Sequence, residues 1–170
     1  MKPIICLFIL SSVSLFFFQA CKKDNVITES LPEDNDKSYI NVPEALWDYF
    51  HRFEDEAQER GFQIDLNALN ISAEIIEIDE DGVAGSCSYG TNHPNHIIID
   101  LTFWNQTSDL FKEMIIFHEL GHCSLFRGHR EDSYSDGTCV SIMRSGLGDC
   151  LDNYRVITRE KYLDELFEED

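Results

Sequence analysis

The chain is poor in basic residues. Of its 170 residues only 13 are Lys or Arg, against 32 Asp or Glu, and the formal net charge is −19. Nucleic acids and anionic lipid surfaces are also negatively charged, so they would be repelled by a protein of this composition. The charge balance therefore predicts that no nucleic acid is a partner.

The chain has no internal repeat, and its one long apolar run lies between Ile4 and Phe18. Polar residues follow this run before a bilayer could be crossed, so it predicts an export signal at residues 1–20 rather than a membrane-spanning helix. The end of the run, Phe18-Gln19-Ala20-Cys21, resembles the lipobox of bacterial lipoproteins. This resemblance implies a lipid on Cys21, attachment to a membrane through that anchor, and an exported lipoprotein of the outer membrane that faces the periplasm or the cell surface. The alternatives are a plain secretory signal cut near Ala20 and a retained anchor helix.

Closely spaced cysteine pairs, which thiolate zinc sites usually require, are missing. Cys6 belongs to the signal and Cys21 is the candidate for lipidation. The four others are nowhere two to four residues apart: Cys87, Cys123, Cys139 and Cys150. Because disulfides form in exported proteins, we expect disulfides or buried free thiols, with three pairings possible.

Composition and periodicity divide the rest of the chain into two parts. Residues 21–40 are polar, acidic and aperiodic, which predicts a flexible tether. Residues 41–170 alternate helical and strand patterns, which predicts one α+β domain. Its first helix is predicted to begin at Asn41, with Pro43 and Glu44 in its first turn, and to end at Gly61. Strand patterns follow at residues 62–66, 71–78, 83–89 and 97–104, the last as a buried central strand.

A long helix is predicted next, beginning at Ser108 or Asp109, either of which can cap it, and ending after Leu125. Gly128 is the expected left-handed residue at its end. The chain is then irregular until a last helix begins at Thr158.

The long helix carries the sequence His118-Glu119-Leu120-Gly121-His122. Side chains four residues apart lie on one face of a helix, about 6 Å apart, so both imidazoles can bind one cation. Glu119 projects to an adjacent edge, close enough to take a proton from a metal-bound water without being a ligand. Without a metal, these three polar side chains would lie on a partly buried helix, in the protein core, with no evident hydrogen-bond partners. The pattern therefore predicts a zinc site.

A catalytic zinc usually has three protein ligands, and His129 is the candidate for the third. On an unbroken helix it would lie about 10 Å beyond His122, too far to share a cation. The hypothesis therefore requires a bend between Leu125 and Gly128. Three nearby carboxylates compete for this third position. Asp132 is the strongest competitor, and the others are Glu131 and Asp136.

The stretch HELGHCSLFRGH, residues 118–129, followed by Ser141-Ile142-Met143, resembles the metzincin branch of the zincin metallopeptidases. That branch has the pattern HExxHxxGxxH and, later, a methionine in a tight turn beneath the metal. The resemblance covers mainly residues 115–143. It implies a zincin-like fold with an N-terminal helix, a small mixed twisted sheet, an active-site helix, and an irregular C-terminal subdomain with the Met-turn and a terminal helix.

The same resemblance implies roles for individual residues. It makes Glu119 the general base, places Met143 under the zinc without binding it, and makes three residues zinc ligands: His118, His122 and His129. The chain departs from the pattern because His129 follows His122 by seven residues rather than six, and because Leu125 stands in the place of the turn glycine. Ser145 occupies a position at which some metzincins have a tyrosine.

These observations predict a zinc-dependent metallopeptidase domain at residues 41–170. It would hydrolyse peptide bonds with a zinc-activated water and with Glu119 as the general base. The peptide or protein substrate would add as a strand to residues 83–89, where Ala84 and Gly85 leave room for a second backbone. The alternative is a catalytically inactive zinc-binding lipoprotein that acts as a binding or assembly module.

Overall fold

The computed structural model describes residues 37–90, 93–146 and 151–168. The predicted signal peptide, the lipidation candidate Cys21 and most of the tether lie outside these ranges. Across the ranges themselves, every helix is too short or too polar to cross a bilayer. Residues 37–40, which the sequence assigns to the tether, pack on the domain, because Tyr39 is buried and Lys37 forms an ion pair with Glu54 at 2.7 Å.

The described residues form four α-helices and three strands, which confirms the α+β class. A 3-10 turn at Glu44–Leu46 leads into the first helix, and another at Leu151–Asn153 precedes the last. In chain order the elements are α1 (Trp47–Glu59), β1 (Ser72–Ile76), β2 (Gly85–Gly90), β3 (His93–Asp100), α2 (Leu101–Gln106), α3 (Asp109–Leu125) and α4 (Arg159–Leu166).

The start of the first helix was predicted wrongly. Asn41 does not cap it but has a left-handed backbone, with φ of 58°, and its carbonyl accepts a hydrogen bond from the Ala73 amide at 3.0 Å. This bond ties the entering chain to β1, and the 3-10 turn then begins after Pro43. The predicted end is confirmed, since Gly61 follows α1 in the left-handed region with φ of 86°.

One predicted strand is absent, and the predicted central strand ends four residues early, at Asp100 rather than at residue 104. Residues 62–66 alternate in polarity but form no ladder, because the Leu66 amide donates to the Glu54 carboxylate of α1 at 2.8 Å and the chain turns there. The apolar run 97–104 is broken at Asp100, whose carboxylate accepts from the Phe103 amide at 2.6 Å and so caps α2. The central strand β3 therefore ends where α2 begins.

The sheet has the strand order β1-β3-β2. β1 runs parallel to β3, whereas β2 runs antiparallel to it. β3 is central, with Ile97 and Ile99 buried. Among the described residues β2 lies at an edge of the sheet, so one row of its backbone groups is open to a further strand.

The long helix α3 packs between the sheet and α1. Ser108 caps it by accepting from the Phe111 amide, and its apolar face is fully buried at Ile116, Phe117 and Leu120. Glu113, on the same helix, is 2% exposed and accepts hydrogen bonds from three side chains of other elements: Arg52 at 2.8 Å, Arg159 at 2.6 Å and Tyr154 at 2.7 Å. Since one partner lies on α1 and another on α4, this carboxylate fixes α3 between both helices.

Candidate metal centre

The two histidines of the HExxH stretch lie on α3, and the helix ends three residues after the second. Phe126 terminates it with φ of 57° and ψ of 28°, the left-handed conformation predicted for Gly128. The predicted terminator is therefore wrong by two residues, although the chain does bend between Leu125 and Gly128. A non-glycine residue in this conformation costs about 1–2 kcal/mol. The bend returns His129 toward the helix face that carries His118 and His122.

The three histidine rings converge on one point. Nε2 of His122 lies 3.1 Å from Nε2 of His118 and 3.2 Å from Nε2 of His129. One nitrogen from each ring lies within 4.8 Å of the others, and across the described ranges this is the one group of three side chains placed to share an ion.

The competing carboxylates are engaged elsewhere. Asp132 forms an ion pair with Arg130 at 3.3 Å, and Glu131 accepts a hydrogen bond from the Ser145 amide at 3.0 Å. Asp136 accepts from its neighbour Thr138. The structure therefore brings His129, rather than Asp132, to the other two histidines.

Backbone carbonyls fix the tautomers of two rings. Nδ1 of His118 lies 2.6 Å from the Ile142 carbonyl, and Nδ1 of His122 lies 2.6 Å from the Arg127 carbonyl. A carbonyl oxygen only accepts, so both Nδ1 atoms carry the proton and both Nε2 atoms present lone pairs. Two lone pairs that face each other at 3.1 Å repel unless a cation lies between them.

Protons are poor candidates for that cation. Burial lowers the pKa of His118 to about 4, and burial also lowers the pKa of His122. Near neutral pH these two rings are therefore uncharged. Three converging imidazole nitrogens, two of them with free lone pairs, fit Zn²⁺, which imidazole ligands suit well.

Glu119 lies next to the histidines on the wall of a cleft. It is 4% exposed, and this burial raises the pKa of its carboxyl to about 8. The cleft has a volume of about 310 Å³ and is lined by residues of α3, of the edge strand β2 and of the loop at 141–146. Its apolar lining includes Met114, Ile115, Ile142 and Tyr162.

Met143 lies directly against the helix that carries the histidines. It is fully buried, and a Cβ added to Gly121 would come within 2.6 Å of its sulfur. Its amide donates to the Ser141 hydroxyl at 2.9 Å, and its carbonyl accepts from the Arg130 amide at 2.9 Å. This turn therefore supports α3 and also holds the chain next to His129.

A buried carboxylate on α4 holds the same segment from the other side. Oε1 of Glu165 accepts from Arg127 at 2.7 Å and from Arg130 at 2.9 Å. Arg127 also supplies the carbonyl that fixes the tautomer of His122. Sequence reasoning missed this clamp because an ion pair between residues 35 or 38 positions apart leaves no periodic signal.

A disulfide between Cys87 and Cys123 joins β2 to α3. Cys123 directly follows the ligand candidate His122, so the crosslink lies at the candidate metal centre. This is one of the pairings that the sequence left open. Cys139 is disulfide-bonded as well, whereas Cys150 lies outside the described ranges.

The metal-free protein should show the burial of Glu119 as a pH-dependent stability. Because the folded pKa of about 8 exceeds the ordinary value of 4.5, the folded state binds this proton more tightly than the unfolded chain. The stabilisation is complete below the ordinary pKa and is lost as pH rises through 8. Metal-free Glu119→Gln, which stays uncharged, should exceed metal-free wild type in free energy of unfolding by up to about 5 kcal/mol at about pH 9. Urea denaturation of both proteins in chelator measures the difference, and a difference that does not change with pH would contradict it.

Comparisons with protein families, with curated proteins and with solved structures find no match to this chain. The function must therefore be argued from the residues and their geometry. The structure brings the three histidines, Glu119 and Met143 together, and it adds Glu165, which the sequence did not indicate.

Proposed function

We propose that this protein is a zinc metallopeptidase with a zincin-like fold. The observation that carries the proposal is the convergence of three imidazole nitrogens. In two of the rings, a backbone carbonyl bound to Nδ1 leaves Nε2 with a free lone pair. His118, His122 and His129 would hold Zn²⁺, which supplies Lewis acidity toward the scissile carbonyl when bound. A buried carboxylate beside these ligands is what amide hydrolysis requires in addition.

Glu119 has the position and environment of a general base. Its carboxylate lines the cleft with the three histidines but does not belong to their group. It accepts a proton from the attacking water and delivers that proton to the leaving amine. Burial raises the pKa of this carboxyl toward the working pH, at which one group can both accept and donate a proton.

The open edge of β2 is suited to an extended peptide. Gly85 to Cys87 form one wall of the cleft, and their strand has no partner on its outer side within the described residues. A peptide that adds there gains main-chain hydrogen bonds, and the apolar wall opposite receives a side chain. We therefore propose a peptide or protein as substrate.

The family assignment is supported by the position of the bend. In the metzincin pattern the turn glycine lies three residues before the third histidine, and Phe126 likewise lies three residues before His129. The extra residue of this chain is therefore accommodated before the bend, as one more residue of α3. The spacing of seven is compatible with the metzincin arrangement of ligands.

Export as a lipoprotein through Cys21 remains part of the proposal. The disulfide between Cys87 and Cys123 supports an oxidising compartment, where such bonds persist. An intact mass of the membrane-derived protein tests the anchor, since a mature N-terminus other than acylated Cys21 contradicts it.

The experiment that tests the function is metal removal and restoration. Purified protein is dialysed against a chelator, zinc is added back, and cleavage of a proteome-derived peptide library is read by mass spectrometry. We expect cleavage to disappear with zinc and to return with one equivalent. If the zinc-loaded protein cleaves no peptide, the peptidase proposal is overturned and the alternative of a zinc-binding module without activity is favoured.

Gly85 sets the distance between β2 and the proposed base. A Cβ at this position would lie 2.9 Å from Oε1 of Glu119 and 3.1 Å from a methyl group of Ile115. We expect Gly85→Ala to displace the carboxylate and to lower kcat about 10- to 100-fold, because a shift of about 1 Å has an effect of that size. Zinc affinity should not change, since the added methyl group meets Glu119 and not a ligand. Gly128→Ala, where a Cβ meets open space, is the matched control; an equal loss of kcat there would contradict this reason.

A further inference from the structure

Two aromatic side chains form an exposed pair beyond the β2 residues that line the cleft. Tyr89 lies on β2 and Phe126 is the left-handed residue that ends α3. Their ring centroids are 6.0 Å apart in an edge-to-face arrangement, yet Tyr89 is 42% exposed and Phe126 is 62% exposed. The pair, called the aromatic pair below, leaves much of its apolar surface uncovered.

The backbone under Phe126 makes this exposure unusual. Glycine adopts the left-handed conformation without cost, whereas a bulky residue does not. Because the ring of Phe126 is exposed, its packing offsets little of the cost of this backbone conformation. Tyr89 is also aimed by an irregularity, since the register of β2 against β3 shifts between Ser88 and Gly90. Both rings are thus held in place at positions where the fold alone does not require them.

The aromatic pair lies along β2 from the cleft, two residues beyond Cys87, the last β2 residue that lines the cleft. Alternate residues of β2 face α3: Gly85 approaches Glu119, Cys87 is bonded to Cys123, and Tyr89 contacts Phe126. β2 therefore runs along α3 from the proposed base to the end of the helix. A strand added to the open edge of β2 passes both the base and the aromatic pair.

The direction of that strand places the aromatic pair relative to the bond to be cleaved. Antiparallel pairing is the more stable arrangement, and a peptide antiparallel to β2 has its amino end beside Tyr89. Tyr89 lies two residues beyond Cys87 and four beyond Gly85. The side chain that reaches the aromatic pair therefore belongs to a residue two to four positions before the scissile bond.

We infer that the aromatic pair is a substrate-binding subsite for an aromatic or large aliphatic side chain on the amino-terminal side of the scissile bond. This inference rests on the proposed peptidase function and names part of its specificity. Edge-to-face contacts with two rings select such a side chain over alanine by about 3- to 10-fold.

Phe126→Gly is a sharp test, because glycine keeps the left-handed turn and removes only the ring. Ile157→Ala removes an apolar side chain that is 89% exposed elsewhere and is the matched control. Each protein cleaves a proteome-derived peptide library, and mass spectrometry gives the residues before each cut. We expect enrichment of aromatic or large aliphatic residues two to four positions before the cut in wild type and in Ile157→Ala. In Phe126→Gly and Tyr89→Ser this enrichment should fall by about 3- to 10-fold.

A second measurement does not depend on turnover. Calorimetry on zinc-loaded Glu119→Gln protein compares two acetylated peptides, Gly-Phe-Gly-Gly-Leu-Gly and the same peptide with Ala for Phe. Tighter binding of the Phe peptide, if the additional substitution Phe126→Gly abolishes it, supports the subsite. This holds even if none of the proteins cleaves a peptide, and in that case only the enzyme proposal fails. Cleavage whose sequence preference is unchanged by Phe126→Gly overturns the subsite and leaves the enzyme standing. Equal binding of both peptides without any cleavage overturns both.

Discussion

A Glu119→Gln variant is expected to bind zinc as tightly as wild type and to cleave peptides about 100- to 10,000-fold more slowly. Glutamine has nearly the shape of glutamate and fills the same buried space, but it cannot accept a proton from water. The three histidines proposed to bind the metal are left unchanged. The measurements are kcat on a fluorogenic peptide taken from the library and zinc content by elemental analysis.

Glu77→Gln, which removes an exposed carboxylate from the chain after β1, is the control for loss of negative charge. It should retain full activity. Two results would count against the role of Glu119: a kcat within about threefold of wild type, far from what loss of a general base causes, or loss of zinc together with activity.

A His129→Ala variant is expected to bind zinc at least about 100-fold more weakly than wild type, since even partners outside the ligand set contribute about 10- to 100-fold. Asp132→Ala should bind zinc as wild type does, because Asp132 pairs with Arg130 rather than with the histidines. A competition titration against a chromogenic chelator measures both affinities. The reverse ranking would show that the carboxylate is the third ligand and that the bend at Phe126 does not serve the metal.

Local chemistry made much of the fold predictable. The cap at Ser108 and the stop at Gly61 use side-chain and backbone geometry that neighbouring residues determine. One failure has the opposite origin. Residues 62–66 have the alternation of a strand, but the Glu54 carboxylate of helix α1 accepts a hydrogen bond from the Leu66 amide, which a neighbouring strand would need. At Asp100, a single carboxylate turned an apolar run into a strand and a helix.

The candidate site divides in the same way. Helix periodicity alone places His118 and His122 on one face, so their proximity was predictable. The need for a bend was predictable, but the residue that makes it was not. Conformational propensity favours Gly128, whereas Phe126 adopts the left-handed conformation in the structure. The clamp at Glu165 was not predictable, since its two arginines come from a distant part of the chain.

The disulfide between Cys87 and Cys123 makes the two walls of the cleft one covalent unit. Because the crosslink lies between the proposed base and the aromatic pair, the edge strand cannot drift from α3 when no peptide is bound. Association usually includes an entropic cost for ordering the receptor as well as the ligand. Here the crosslink orders the receptor strand in advance, so ordering of the β2 backbone adds little to the entropic cost of binding a peptide.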